Sequence, residues 1–270
     1  VQPLCVYDGN ISDSLDYVPH RHRIKYFERV DLTQIFDVAI VMDYGNQAHI
    51  GGPRPLVDNA KFIIEIDHHE NDNTIADLCL NDDTAAATAI IVYNVMRAAN
   101  MNIDSIASDL LALGILTDTG NFKFVRNGDA LRIMADLIDS GVNVRNLIEL
   151  MNNKQRKAVQ LEAQTAANAE FFYNGRLALA TVHKKDYKYL DGRGELVLNL
   201  LGQIKGVEYI VLLKEQKPEQ TGISIRSRRK PIDGIAVALG GGGHERAAGA
   251  IVRDNMENVR KRILELFKGE

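Results

Sequence analysis

The stretch Lys61-Phe62-Ile63-Ile64-Glu65-Ile66-Asp67-His68-His69-Glu70 decides how the chain is read. An apolar, β-branched run ends abruptly in one carboxylate and two imidazoles. Short apolar runs of this kind form buried strands. In open α/β sheets, ligands bind just beyond the carboxyl ends of the strands. Side chains alternate along an extended backbone. His68 and His69 are therefore expected to point in different directions, one toward a metal and the other toward a substrate.

Outward from this strand, the first half alternates strand and helix. Residues 4–7 read as a short strand ending at the turn Asp8-Gly9-Asn10, with a helix start over 12–17 capped by Ser12 or Asp13. Residues 36–42 are a second apolar strand that ends at Asp43-Tyr44-Gly45-Asn46, and 51–55 read as loop. The spacing predicts helices over 84–100, 103–117 and 130–140. In the second of these, Ile106, Leu110, Leu113 and Leu116 or Ile115 are expected on the inner side. It closes at Asp118-Thr119-Gly120, where an acid opposes the helix dipole and a cation beside it would be favoured. Residues 146–170 form a long polar-faced stretch that reads as one connecting helix.

After residue 170 the pattern changes. Strands are expected over 177–182, 208–213 and 222–227, with helices over 195–204 and 255–267. The expected fold class is α/β: a parallel sheet with flanking helices over residues 1–150, a helical linker over 151–170, and a smaller α/β domain over 171–270.

With 46% apolar and 25% charged residues, the composition is that of an ordinary globular protein. A net charge of −4 argues against long duplex DNA or an anionic membrane as the partner. No apolar run approaches the ~20 residues of a membrane span. The first residues lack the basic lead of a secretory signal. Cys5 and Cys79 make neither a disulfide framework nor a zinc spacing, which points to reduced thiols and a cytoplasmic setting.

Asp43, His68 and Asp118 are the mixed carboxylate and imidazole set that suits Mn2+ or a similar divalent ion. In the second half, Ser224, Arg226 and Arg228 alternate with Ile223 and Ile225. Gly240-Gly241-Gly242-Gly243-His244 follows a short helix. Its glycines would let backbone N–H groups approach an anion, and a helix start after it would add a favourable dipole. Arginines beside such a loop describe a phosphate-binding surface. Histidines His20 and His22, in a run with Arg21 and Arg23, read as surface residues.

Asp67-His68-His69, Thr117-Asp118-Thr119-Gly120-Asn121-Phe122, and Gly240 to His244 with Ala247-Ala248-Gly249 together resemble the signatures of the DHH–DHHA1 phosphoesterases. Within that family the chain is similar to the NrnA-like branch of bifunctional oligoribonucleases and pAp phosphatases. The resemblance covers essentially the whole chain, in order. It implies that Asp43, His68 and Asp118 are metal ligands, with Asp43 bridging two ions. It implies His69 as the catalytic residue that contacts the substrate phosphate, and Asp67 as the group that orients a ligating imidazole. Arg226, Arg228, Gly241, Gly242, Gly243 and His244 would bind substrate. The implied cofactor is Mn2+, with Mg2+ or Co2+ as substitutes, and the implied reaction is attack of a metal-activated hydroxide on phosphorus.

The implied substrates are short oligonucleotides, 3′-phosphoadenosine 5′-phosphate, or linear or cyclic dinucleotides. A homodimer is compatible with such a chain. The family's earlier His-x-x-x-Asp-x-Asp motif has no counterpart here. This leads to the expectation that it lies upstream of Val1, and that residues 1–270 alone bind metal poorly and turn over slowly. Two other readings are a RecJ-like single-strand exonuclease and a non-catalytic nucleotide-binding protein.

Overall fold

The computed structural model describes residues 3–8, 16–70, 74–125, 127–190 and 194–269, without the side chains of Asp233 and His244. The expected turn at 8–10 and helix start at 12–17 lie mostly outside these residues. The chain divides into two compact units, Val1–Asn153 and Lys154–Glu270. It is an α/β protein, with parallel strands in the first unit and a mixed sheet in the second.

The first unit opens with a two-stranded parallel ribbon, β1 (Cys5–Tyr7) on β2 (Ile24–Tyr26). Its main sheet is parallel, in the order β3 (Ala39–Met42), β4 (Ile63–Asp67), β5 (Leu78–Asn81). Between β3 and β4 lies α1 (Arg54–Asp58). Residues 54 and 55 are thus helical, where the sequence suggested loop. Pro55 sits in the first turn, where its missing N–H costs nothing. Strand β5 was not anticipated at all, because Leu78-Cys79-Leu80-Asn81 is too short to show an alternation.

Four helices follow: α2 (Thr88–Ala98), α3 (Ser105–Asp118), α4 (Asp129–Asp139) and α5 (Val144–Met151). Together with Ile66, their inner faces form the larger core of this unit, including Ile90, Leu116, Ile133 and Leu137. Helix α3 corrects one expectation. Ile106 and Leu110 are exposed, while Leu111, Ala112, Ile115 and Leu116 are buried. The helix is apolar on nearly every side, so its period alone could not choose the buried face.

The helical layer covers Ile64, Ile66 and Leu80 but stops short of β3. Val38, Ile40 and Met42 are therefore about half exposed, at 48%, 55% and 54%. On the opposite face, Val41 and Ile63 pack against a small cluster of Tyr44, Ile50 and Val57.

The stretch expected as one connecting helix is broken. Helix α5 ends at Met151 and α6 (Arg156–Ala167) begins four residues after Asn152. Lys154 Nζ binds both oxygens of the fully buried Glu162, at 3.0 and 2.7 Å, and pins the intervening segment to α6. At Glu170 the backbone is already extended, in β6 (Glu170–Phe172).

The second unit is a six-stranded sheet. Its remaining strands are β7 (Leu177–Val182), β8 (Tyr209–Lys217), β9 (Gln220–Ser227), β10 (Gly242–His244) and β11 (Ala247–Val252). Their spatial order is β10-β11-β9-β8-β7-β6, antiparallel except for the β7–β8 pair. Helix α7 (Lys184–Tyr187) follows β7, and α8 (Glu195–Gly202) precedes β8. One face packs on α9 (Asp233–Ala238) and α10 (Met256–Leu266) through Leu213, Ile225 and Ile263. The other face packs on α8 through Ala180, Ile210, Leu212 and Leu198. Truncating a fully buried side chain such as Leu212 or Ile225 to alanine costs about 2–5 kcal/mol.

The glycine-rich segment is a strand rather than a loop before a helix. Gly242, Gly243 and His244 pair with Gly249, Ala248 and Ala247. No helix starts after His244, so the expected dipole contribution is absent there.

Candidate metal centre

Strand β4 ends at Asp67, and the chain turns at once. Asp67 is fully buried and gathers that turn. Its Oδ1 accepts the backbone N–H of His68 at 2.7 Å and of His69 at 3.0 Å, and lies 2.6 Å from His69 Nδ1. Its Oδ2 accepts the N–H of Tyr44 at 2.9 Å and of Gly45 at 2.8 Å. One carboxylate therefore ties the ends of two neighbouring strands, as an orienting acid should.

The two imidazoles do not diverge as strict strand alternation suggested, because residues 68 and 69 lie past the strand. Both face Asp43. His68 Nε2 is 3.6 Å and His69 Nδ1 3.8 Å from Asp43 Oδ1, with the two rings edge-to-face at 4.6 Å. Ligand atoms of Asp43, His68 and His69 all lie within 4.8 Å of one another. Asp43 has φ of 54°, a left-handed conformation uncommon for a non-glycine residue. Thr88 Oγ1, at the start of α2, donates to its Oδ1 at 2.9 Å. Gly45 lies against the His69 ring, and a Cβ there would sit 3.3 Å from it with φ of 67°.

Hydrogen bonding fixes the tautomers. His68 Nδ1 is 3.2 Å from the carbonyl of Ala85, which can only accept, so the proton sits on Nδ1. Nε2 is left with a lone pair facing Asp43, the arrangement of a metal-ligating histidine. In His69 it is the Nδ1 atom that Asp67 engages. The Asp67 hydrogen bond raises the His69 pKa. Partial burial works against it, and the charges of Asp67, Asp43 and Asp118 add to the rise. Burial alone would raise Asp67. Hydrogen bonds from the His69 ring and from the Gly45 and His69 amides, with the His69 charge, outweigh it and hold the carboxyl well below the usual range.

One carboxylate and two imidazoles at this spacing fit a divalent transition ion, with the open side at Asp43, whose side chain is 48% exposed. Asp118 is the exposed last residue of α3. It acts on His69 through its charge but is not part of the close set. Thr88, Tyr44 and Glu65 escaped the sequence reading. Glu65 alone left a signal, a lone acid inside an apolar strand.

In the second unit, Arg226 is a β9 residue whose Nη2 is 2.6 Å from Glu195 Oε1. Arg228 lies past the strand and donates to the Gly202 carbonyl at 2.8 Å, so it does not continue the alternation. The register aligns His244, Ala247, Arg226 and Ile210 in one row. A Cβ at Gly241 would lie 2.0 Å from the Gly249 carbonyl oxygen, and one at Gly243 2.5 Å from that of Ala247. These two glycines permit close strand approach. A Cβ at Gly242 meets nothing within 4 Å. Among the described residues, no helix is long and apolar enough to cross a membrane.

Comparison with known proteins agrees with this architecture. Residues 7–115 match the model of the DHH family, N-terminal domain, and residues 179–269 match that of the DHHA1 domain. The bifunctional oligoribonuclease and PAP phosphatase NrnA of Thermus thermophilus is 30% identical over 212 residues, 77% of this chain and 64% of that protein. The chain thus spans less than two thirds of that relative's length. The uncharacterized protein MG371 of Mycoplasma genitalium is 31% identical over 245 residues, 88% of this chain and 74% of that one. An exopolyphosphatase-related protein of Bacteroides fragilis superposes with a TM-score of 0.85 at 22% identity, covering 98% of this chain and 83% of that one, which supports the fold.

Proposed function

Since the chain belongs to the DHH family, with a DHH N-terminal domain followed by a DHHA1 domain, we propose that it is a Mn2+-dependent phosphoesterase acting on short oligonucleotides or small nucleotides. The observation that carries this reading is the convergence of Asp43, His68 and His69, with His68 held in a metal-ligating tautomer. Asp43 and His68 would hold the ion, and Asp118 would join them. A divalent ion, when bound, supplies Lewis-acid polarisation and activation of water for attack on phosphorus.

The protein's own groups do the rest. The Asp67 hydrogen bond favours the protonated His69 ring, which would donate from Nε2 to a phosphoryl oxygen. Asp67 stays ionised and keeps that ring oriented. In the second unit, Arg226, Gly242 and the His244 position would bind nucleotide phosphate, with Arg228, Gly241 and Gly243 flanking them. The T. thermophilus relative is named an oligoribonuclease and PAP phosphatase, which supports short oligoribonucleotides and 3′-phosphoadenosine 5′-phosphate as substrates; dinucleotides are the shortest members of the same class. Two unpaired cysteines suit a cytoplasmic enzyme.

The test is to incubate the complete protein, with any segment upstream of Val1 included, with Mn2+ and pAp, pApA or a five-nucleotide RNA. Release of mononucleotides or of phosphate is expected, and is expected to vanish in His68→Ala. Binding of these ligands without cleavage would favour a non-catalytic nucleotide-binding protein instead.

A further inference from the structure

The metal-site loop has a support beneath it that its own chemistry does not require. Glu65 and Asp67 are two residues apart on β4 and point to the same face, both fully buried. Each grips Tyr44. Asp67 Oδ2 accepts its backbone N–H at 2.9 Å, and Glu65 Oε2 accepts its phenol at 2.7 Å. Thr74 Oγ1 donates to the same Glu65 oxygen at 2.5 Å. The Tyr44 carbonyl is also held, 2.8 Å from His49 Nδ1 and 2.7 Å from the N–H of Asn46. Tyr44 is 6% exposed, among Ile50 and Val57. The residue before it, Asp43, sits in the left-handed region at φ of 54°. Aspartate tolerates that conformation better than most residues, and the contacts of its neighbours decide whether it is kept.

We infer that Tyr44 is a positioning residue: clamped by Asp67 at its N–H and by Glu65 at its phenol, it holds Asp43 in the left-handed conformation that turns its carboxylate toward His68 and His69. A buried carboxylate in the middle of an apolar strand is costly unless it is hydrogen-bonded. Here Tyr44 and Thr74 reach in from the segments after β3 and before β5. Glu65 therefore joins three consecutive strand regions beneath the site. The metal-binding consequence rests on the function proposed above; the backbone consequence does not.

The experiment compares the wild type with Tyr44→Phe, Glu65→Gln and a core control, Ile90→Val, by amide hydrogen exchange and by Mn2+ titration. Loss of the phenol should speed exchange of the Tyr44 and Gly45 amides at least about tenfold while the amides of α3 keep their protection. Glu65→Gln retains an acceptor and should fall between Tyr44→Phe and wild type. Mn2+ affinity should drop about 10- to 100-fold in Tyr44→Phe and stay unchanged in Ile90→Val. Equal acceleration throughout the unit, or none at residues 44 and 45, would overturn the inference. If the wild type takes up no Mn2+, the metal reading fails, and the exchange pattern still decides the role of Tyr44.

Discussion

Asp67 Oδ1 lies 2.6 Å from His69 Nδ1, and the same oxygen takes the backbone N–H of both histidines. The pair is a buried carboxylate with a cation-prone ring at its mouth, and it links the fold to pH. His69 is raised in the fold, so its contribution to stability is complete below its unfolded pKa of about 6.5 and is lost as pH rises through the raised value. Asp67 is depressed, so its contribution is present above about 3.9 and is lost as pH falls toward its folded value. Thermal unfolding without metal should therefore show Tm falling on both sides of a mildly acidic optimum. Asp67→Asn should flatten both limbs. A profile unchanged by that substitution would assign the pH dependence to other groups.

Metal uptake should stabilise the first unit. At a hundredfold excess over the dissociation constant, a divalent ion adds about 2.7 kcal/mol. Differential scanning calorimetry with Mn2+ should raise Tm in the wild type and leave it unmoved in His68→Ala and Asp43→Ala. Because a ligating imidazole or carboxylate must give up its proton to the ion, the gain should shrink as pH falls. A gain that persists in both variants would place the ion elsewhere.

The glycines of the second unit should separate into two kinds. Gly241→Ala drives a methyl onto the Gly249 carbonyl, and its cost should reach about 1–3 kcal/mol or more, read by chemical denaturation. Gly242→Ala meets nothing and should leave stability unchanged. It should instead weaken binding of nucleotides if a phosphate sits against Gly242. Equal destabilisation by both substitutions would contradict the observed strand pairing.

Arg226 is engaged by Glu195 at 2.6 Å and must exchange that partner to meet a phosphate. Glu195→Gln removes the competing charge. Affinity for pAp should rise several-fold, about 1 kcal/mol for an exposed pair, with the largest effect at low salt. Isothermal titration at two ionic strengths would reveal it. Weaker binding would mean that Glu195 orients the arginine instead of competing for it.

Much of the site was legible because its signals are local. A β-branched run that stops at Asp67-His68-His69 states both the strand and the polar cluster at its end. The spacing within α4 and α10 marked both as helices in the same way. Helix α3 did not, because apolar residues on every side leave the period without contrast, and Ile106 and Leu110 fell on the exposed side. The strand nature of Gly242 to His244 depends on pairing with Ala247 to Gly249, a contact that no local pattern encodes. The break at residues 152–155 follows from a buried ion pair eight residues apart, Lys154 with Glu162. Tyr44 was invisible as a support because its role depends on Glu65, twenty-one residues away, being buried beneath it.

The half-exposed Val38, Ile40 and Met42 have a consequence for how the protein behaves in the tube. Among the described residues β3 is the outermost strand of its sheet, so an apolar stripe runs beside unpaired backbone groups. Such an edge is a template on which another strand can add. Self-association driven from here would strengthen with sulfate and weaken with urea, the reverse of a contact built on charge. Buffers chosen to keep nucleotides bound and those chosen to keep this edge dispersed will therefore pull in different directions, and concentrated stocks should favour low-sulfate conditions.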